Sequence, residues 1–270
     1  MLGRAVVEAA SRLGHDVHAC TRAELDICDP DATRLALGSS RPQAVVNCAA
    51  YTDVDGAESD WQNAEAVNAG GAGNVAAAAA EIGALIVHVS TDYVFDGSKR
   101  EPWLESDPVA PLGVYGETKL AGERAVVAAN PAHAIVRTAW LFGAGGRNFV
   151  DTMLTLGAQH DEVSVVTDQV GCPTWTGHLA DALVKLAERP GETGIHHIAG
   201  AGACSWNELA LEVLERAGVA CRVRPLTSEQ FVRPAPRPAY SVLGSQRPDP
   251  LVLPRWQDGV AAYLATRVAA

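Results

Sequence analysis

The chain has 270 residues, 48% hydrophobic and 20% charged, long enough for a sizeable core and too apolar for disorder. Its formal net charge of −11 argues against a general nucleic-acid or anionic-membrane partner, while leaving room for a local basic patch facing a phosphate-bearing small molecule. No apolar run approaches the ~20 residues of a membrane span and no basic-then-apolar signal opens the chain; the six cysteines are scattered without a CxxC pair, and they read as small buried hydrophobes of a reducing, cytosolic compartment.

The chain opens on a helical pattern, "LGRAVVEAASRLG" (2–14), with Gly14 where a helix C-terminal glycine belongs. A short strand-like run, "HDVHAC" (15–20), precedes a second helix at "DPDATRLALG" (29–38). Then follow strand "AVVNCAA" (44–50), helix 64–83 ending at Gly83, strand "ALIVHVS" (84–90), helix "YGETKLAGERAVVAAN" (115–130) and strand "HAIVRTAW" (133–140). Short β-branched strands alternating with helices indicate a parallel sheet covered on both faces. Past Trp140 the texture changes. A loop (142–148), a helix (149–158), a strand leading to a turn at Pro173 (162–175), an amphipathic helix (178–189) and a strand (194–200) follow. Ser205 with Glu208 forms a capping box and starts a helix over 205–218. The proline-dense tail 231–254 is excluded from helix interior and central strand, and is expected to wrap over a lobe.

In a dinucleotide-binding sheet, the first strand leads into a glycine-rich turn and then a helix. Here no strand precedes helix 2–14, and Met1-Leu2-Gly3 reads as the end of a G-x-x-G-x-x-G turn. The expected fold is therefore α/β: a Rossmann-type doubly wound parallel sheet with a smaller C-terminal lobe, its first strand and part of its glycine turn missing. The dinucleotide-binding domain spans 1–143, with strand 194–200 returning to it, and residues 144–270 mainly form the substrate lobe.

Strand "ALIVHVS" ends in "STDYVFDG" (90–97), which puts Thr91 at the carboxyl end of a parallel strand, where such sheets bind ligands. Tyr115 and Lys119 lie four residues apart on one helix face. A phenol with its ordinary pKa of about 10 is poorly matched to proton transfer at neutrality, and an adjacent ammonium favours the phenolate. A depression of roughly two to three pH units is the expected match.

The segments "VNCAAYTDVD", "VNAGGAGNVA", "STDYVFDG", "PLGVYGETKLAGE", "RTAWLFG", "NFVDTML", "DQVGCPTW" and "RPAYSVL" together closely resemble the dTDP-4-dehydrorhamnose reductases, extended short-chain dehydrogenase/reductases, from Gly3 to the C-terminal region. The resemblance implies reduction of the C4 ketone of a dTDP-sugar by NADPH, with Thr91, Tyr115 and Lys119 as catalytic residues. Tyr115 would protonate the new alkoxide, while Lys119 would hold the ribose hydroxyls. The cofactor would lie along Gly3, Arg22, Asp26, Ile27, Ala49, Ala50, Tyr51, Thr52, Tyr115 and Lys119. Thr91, Asp92, Trp140 and Arg237 would meet the sugar nucleotide. Arg22, standing where an acid would grip a free 2′-hydroxyl, suits a 2′-phosphate and so NADPH, with NADH as the alternative. With its glycine turn incomplete, the chain as written is expected to bind NADPH poorly or fold badly. An epimerase or dehydratase on another nucleotide sugar, and a non-catalytic cofactor-binding regulator, stand as alternatives on the same fold. A homodimer is left open.

Other residues carry plainer readings. His196 and His197 alternate across a strand, so they cannot share a metal ion, and no metal is expected. Asp53 and Asp55 read as a solvated turn. Asn68 and Asn74 read as local hydrogen-bonders, Asn68 with a place beside the catalytic residues as the alternative. Gln169 and Thr174 are expected to order the turn that shapes the sugar pocket.

Overall fold

The computed structural model describes residues 1–268. Helix α1 (Leu2–Arg12) and helix α2 (Pro30–Ser40) come first, the latter capped by Asp29, whose side chain accepts from the Asp31 and Ala32 amides. Strand β1 (Ala44–Asn47) is followed by the short helices α3 (Val54–Ala57) and α4 (Trp61–Glu65). A π-helical stretch (Ala66–Gly71) then runs directly into α5 (Ala72–Glu81). Strand β2 (Leu85–Thr91), a 3₁₀ turn (Asp92–Val94), α6 (Val114–Ala129) and β3 (His133–Thr138) complete the first part. Gly14 and Gly83 both take positive φ, 85° and 71°, ending their helices as expected.

Beyond β3 the elements shorten: β4 (Leu141–Phe142), α7 (Phe149–Gln159), β5 (Glu162–Val166), β6 (Val170–Gly171), β7 (Thr174–Trp175) and α8 (Thr176–Ala187). Then come β8 (Gly194–His197), β9 (Cys204–Ser205), α9 (Trp206–Arg216), β10 (Arg222–Leu226) and α10 (Trp256–Val268). The capping box at Ser205 and Glu208 is formed. Helix α10 lies outside the expected elements, although Trp256, Val260 and Tyr263, spaced for one helix face, are all buried.

The main sheet is parallel, in the order β1-β2-β3-β8. Side chains alternate between its faces. Leu85, Val87, Ala134 and Val136 pack with α1 and α8 on one side, whereas Ile86 and Ile135 meet α5 and α6 on the other. A separate core joins α7, β5, α9 and α10 through Val150, Met153, Val163, Leu209, Val213 and Val260. Strand β8 leaves this later region to pair with β3. The proline-rich tail straps the two regions. The Trp103 amide donates to Val242 O (2.8 Å), the Trp103 indole donates to Tyr240 O (2.8 Å), and the Ser241 amide donates to Val170 O (2.8 Å).

Two expectations are corrected. Residues 15–20 form no strand: among the described residues β1 pairs only with β2, so no ladder reaches the segment, and it runs exposed apart from half-buried Val17. A strand needs a neighbouring backbone to satisfy its amides, and an apolar run alone does not supply one. For the same reason Cys20 is exposed, while Cys172 and Cys204 are buried and Cys28, Cys48 and Cys221 are half-buried.

Candidate active site

Thr91 ends β2, and its hydroxyl accepts from the Tyr93 amide (3.2 Å) and donates to Asp92 Oδ1 (3.1 Å). Helix α6 begins beside this strand end; its Val114 amide donates to Glu58 Oε1 (3.0 Å). Tyr115 sits in its first turn and Lys119 one turn later. The Tyr93 ring stands edge-on to Tyr115, centroids 5.5 Å apart. Thr91, Asp92, Tyr115 and Lys119 therefore converge, because strand and helix meet at the carboxyl edge of the sheet.

The electrostatics run against the expected sign at Tyr115. Burial pushes its phenol up to about 12; the Thr91 hydroxyl opposes this rise and the Asp92 carboxylate adds to it. Lys119 does not offset it: burial pushes the ammonium down to about 8, with Glu123 pulling the other way. Its Nζ donates to Val89 O (2.7 Å) and stands 3.4 Å from His88 Nε2. The phenol is thus held protonated, as a proton donor requires. Asp92 is buried, and burial lifts its carboxyl to about 6 against hydrogen bonds from Ser241 and Thr91. Among the described residues its Oδ2 has no hydrogen-bond partner, and a buried acceptor in that condition calls for a water or a ligand donor.

Close packing between α6 and the π-helical stretch positions the neighbouring loop. A Cβ at Gly122 would lie 2.0 Å from Asn68 O, so only glycine permits the approach. Asn68, buried, accepts from the Tyr51 amide (2.8 Å) and donates to Tyr51 O (3.2 Å) and to the Thr118 hydroxyl (3.0 Å). It ties Ala49–Thr52, which follow β1 at the same sheet edge, to the helix carrying Tyr115. The π-helical stretch, a form common at functional sites, is what presents it. Asn74 acts locally, donating to Ile27 O (3.0 Å), so Asp26 and Ile27 are anchored beside α5; the Asp26 side chain accepts from the Cys28 amide.

Gly3 lies in the first turn of α1, which contains no acidic residue and no side-chain cap. Its leading amides have no intrahelical acceptor, and that suits an anionic group. Arg22 is exposed and forms no ion pair among the described residues. The donor set of Lys119 Nζ, the Tyr115 hydroxyl and the α1 amides fits a dinucleotide. Trp140 takes a positive φ of 48°, unusual for a bulky residue, and stacks on Trp206 with centroids 3.5 Å apart. Gln169 holds that stack by accepting from the Trp206 indole (3.2 Å). Thr174 orders its turn, donating to Cys172 O and accepting from the Gly200 amide.

Asp55 is not part of a solvated turn. It gathers the Arg233 guanidinium, the Ala235 amide (3.1 Å) and Arg237 Nη1 (3.0 Å), which holds its carboxyl down at about 2. Asp55 thereby fixes Arg237 through Nη1, with Tyr93 beside the guanidinium. The tertiary fold creates this cluster by bringing the tail across α3. Asp53 caps α3 instead. His196 and His197 are buried against backbone carbonyls, Glu192 O for the first and Trp103 O and Gly244 O for the second. Three buried groups near the site had only faint sequence signals. His88 interrupts an apolar strand, and Glu123 pairs with Arg137 (2.7 Å) while accepting from Ser90.

The family model described as the RmlD substrate binding domain matches residues 1–268. The chain belongs to that family. Among its curated RmlD-type relatives, a dTDP-4-dehydrorhamnose reductase of Streptomyces griseus is 48% identical over 92% of this chain and 83% of its own length. A probable dTDP-4,6-dihydroxy-2-methyloxan-3-one 4-ketoreductase of Streptomyces antibioticus is 47% identical over 92% of this chain and 84% of its own. A crystal structure of the dTDP-4-dehydrorhamnose reductase of Bacillus anthracis in complex with NADP is similar with a TM-score of 0.95 at 36% identity, covering 98% of this chain and 95% of that one.

Proposed function

We propose that this protein reduces the C4 ketone of dTDP-4-dehydrorhamnose with NADPH. The observation that carries this reading is the Tyr115 phenol in the first turn of α6, next to the Thr91 hydroxyl at the end of β2 and one turn ahead of Lys119. When bound, NADPH would supply the hydride that the C4 carbon takes up. Tyr115 donates its proton to the ketone oxygen as negative charge develops there. Thr91 orients that oxygen through its hydroxyl, and Asp92 accepts from a sugar hydroxyl at its free Oδ2. Trp140 offers the sugar ring an apolar plane. Lys119 holds the ribose hydroxyls and returns a proton to the phenolate, a downhill transfer given the two groups' proton affinities. Gly3, Arg22, Asp26, Ile27 and Ala49 to Thr52 would line the cofactor. Residues 1–143 with strand 194–200 form the dinucleotide-binding domain and 144–270 mainly the substrate lobe; the separate core of α7, β5, α9 and α10 supports that division, while α8 packs with the main sheet. Six unpaired cysteines support a reducing cytoplasm.

The Streptomyces antibioticus relative supports a second reading, a different dTDP-linked 4-keto sugar as substrate. Loss of NADPH absorbance is compared with the two sugars. Tyr115→Phe is expected to lower turnover about 10²–10⁴-fold while weakening NADPH binding by no more than about tenfold, the worth of one hydrogen bond. Undiminished turnover in the variant, or no NADPH consumption by the parent with either sugar, overturns the proposal.

A further inference from the structure

A row of buried polar groups lies behind Lys119, and the proton-transfer reading leaves most of it unused. Asn47 ends β1 and stands in register with His88 on β2. The Ala49 amide donates to Asn47 Oδ1 (3.1 Å), which fixes the carboxamide with its Nδ2 towards the ring. Nδ2 is a donor only, and it lies 3.2 Å from His88 Nδ1. A neutral imidazole has one donor nitrogen and one acceptor nitrogen. His88 is fully buried, and burial with the Lys119 charge beside it holds the ring neutral. Nδ1 must therefore carry the lone pair and Nε2 the proton, and Nε2 is the atom that faces Lys119 Nζ at 3.4 Å.

We propose that Asn47 and His88 are positioning residues that lock the imidazole as its Nε2–H tautomer and thereby hold Lys119 at the boundary between ammonium and amine. As an amine, Lys119 accepts from His88 Nε2–H and still donates to Val89 O, so every group in the row is satisfied. As an ammonium, it presents a donor to a donor. The other groups facing it divide. Glu123, one turn along α6, favours the ammonium, but that carboxylate is shared with Arg137 and Ser90. Cys48, after β1, is kept a neutral thiol, pushed up to about 12 by burial. Tyr115, one turn back, is kept a neutral phenol. A lysine so balanced gives up and recovers a proton near neutral pH. That is what recharging a phenolate once per turnover requires. The functional meaning rests on Lys119 serving Tyr115; the tautomer does not.

The test uses the cofactor-free protein, so it stands whether or not the sugar assay succeeds. With histidine labelled by ¹⁵N, the His88 signals (assigned by their loss in His88→Gln) are expected to show a protonated Nε2 and a bare Nδ1 from pH 7 to 9. A protonated Nδ1 overturns the proposal, and this needs no folded variant. The chain has three lysines, Lys99, Lys119 and Lys185, so ε-¹³C-lysine gives three resolvable titrations. Asn47→Leu frees the ring to turn a lone pair to Lys119, and the Lys119 midpoint is expected to rise by about one pH unit, tenfold in proton affinity. His88→Gln, which can still offer an amide N–H, should leave that midpoint low. An unchanged or lowered midpoint in folded Asn47→Leu also overturns the proposal. In the reductase assay, the pH–rate limb assigned to Lys119 should move with the midpoint, an effect that mere loosening of the fold would not produce.

Discussion

Replacing Lys119 by methionine should stabilise this protein while abolishing its turnover. The side chain is 1% exposed, and burial moves its proton affinity from 10.5 to about 8. Folding therefore costs about 3 kcal/mol through this group at neutral pH, at about 1.4 kcal/mol per pH unit. Methionine has a similar length and no charge. Against the gain stands the loss of the Nζ hydrogen bond to Val89 O, about 1 kcal/mol. The expected net stabilisation is about 2 kcal/mol, or about 2–4 °C in Tm for each kcal/mol in a chain of this size. The sign of its pH dependence follows from linkage. The folded-state value lies below the unfolded one, so between pH 8 and about 10.4 the unfolded chain holds a proton that the folded chain has released, and stability rises with pH there. Below pH 8 the cost is present in full. Urea and thermal unfolding of parent and variant at pH 7 and pH 9.5 should show a gap at the first pH that narrows at the second. A variant less stable than the parent at pH 7, or a gap independent of pH, would refute the reasoning.

Gly122→Ala would place a methyl 2.0 Å from Asn68 O; with backbone on both sides, a loss of about 2–3 kcal/mol is expected, together with weaker NADPH binding, and a parental Tm would contradict it. Asp55→Asn should loosen the tail around Arg233 and Arg237 and cost about 2 kcal/mol, read as a lower urea midpoint and faster hydrogen exchange at the Ala235 amide. Since the Asp55 carboxyl is held at about 2 when folded, below its usual ~3.9, its contribution is present above pH ~4 and fades as pH falls through about 2.

Much of the site was legible because its signals are local. Thr91 at the end of an apolar run, and Tyr115 with Lys119 four residues on, depend only on strand period and helix pitch. Capping at Ser205 and the glycines closing α1 and α5 are equally local. What escaped depends on partners distant in the chain. Residues 15–20 carry a strand's composition and find no ladder. Asp55 has a loop aspartate's surroundings until residues 178 and 182 positions away fold across it.

The amino-acid sequence by itself determined the alternation of strands and helices, the parallel architecture and the placement of the phenol and lysine on one helix face, since these follow from periodicities a few residues long. Only the tertiary structure decided the proton affinities. Tyr115 moves up rather than down because burial, helped by the Asp92 charge, outweighs the Thr91 hydrogen bond. How deep a group lies, and which distant atoms face it, is a property of the packed chain.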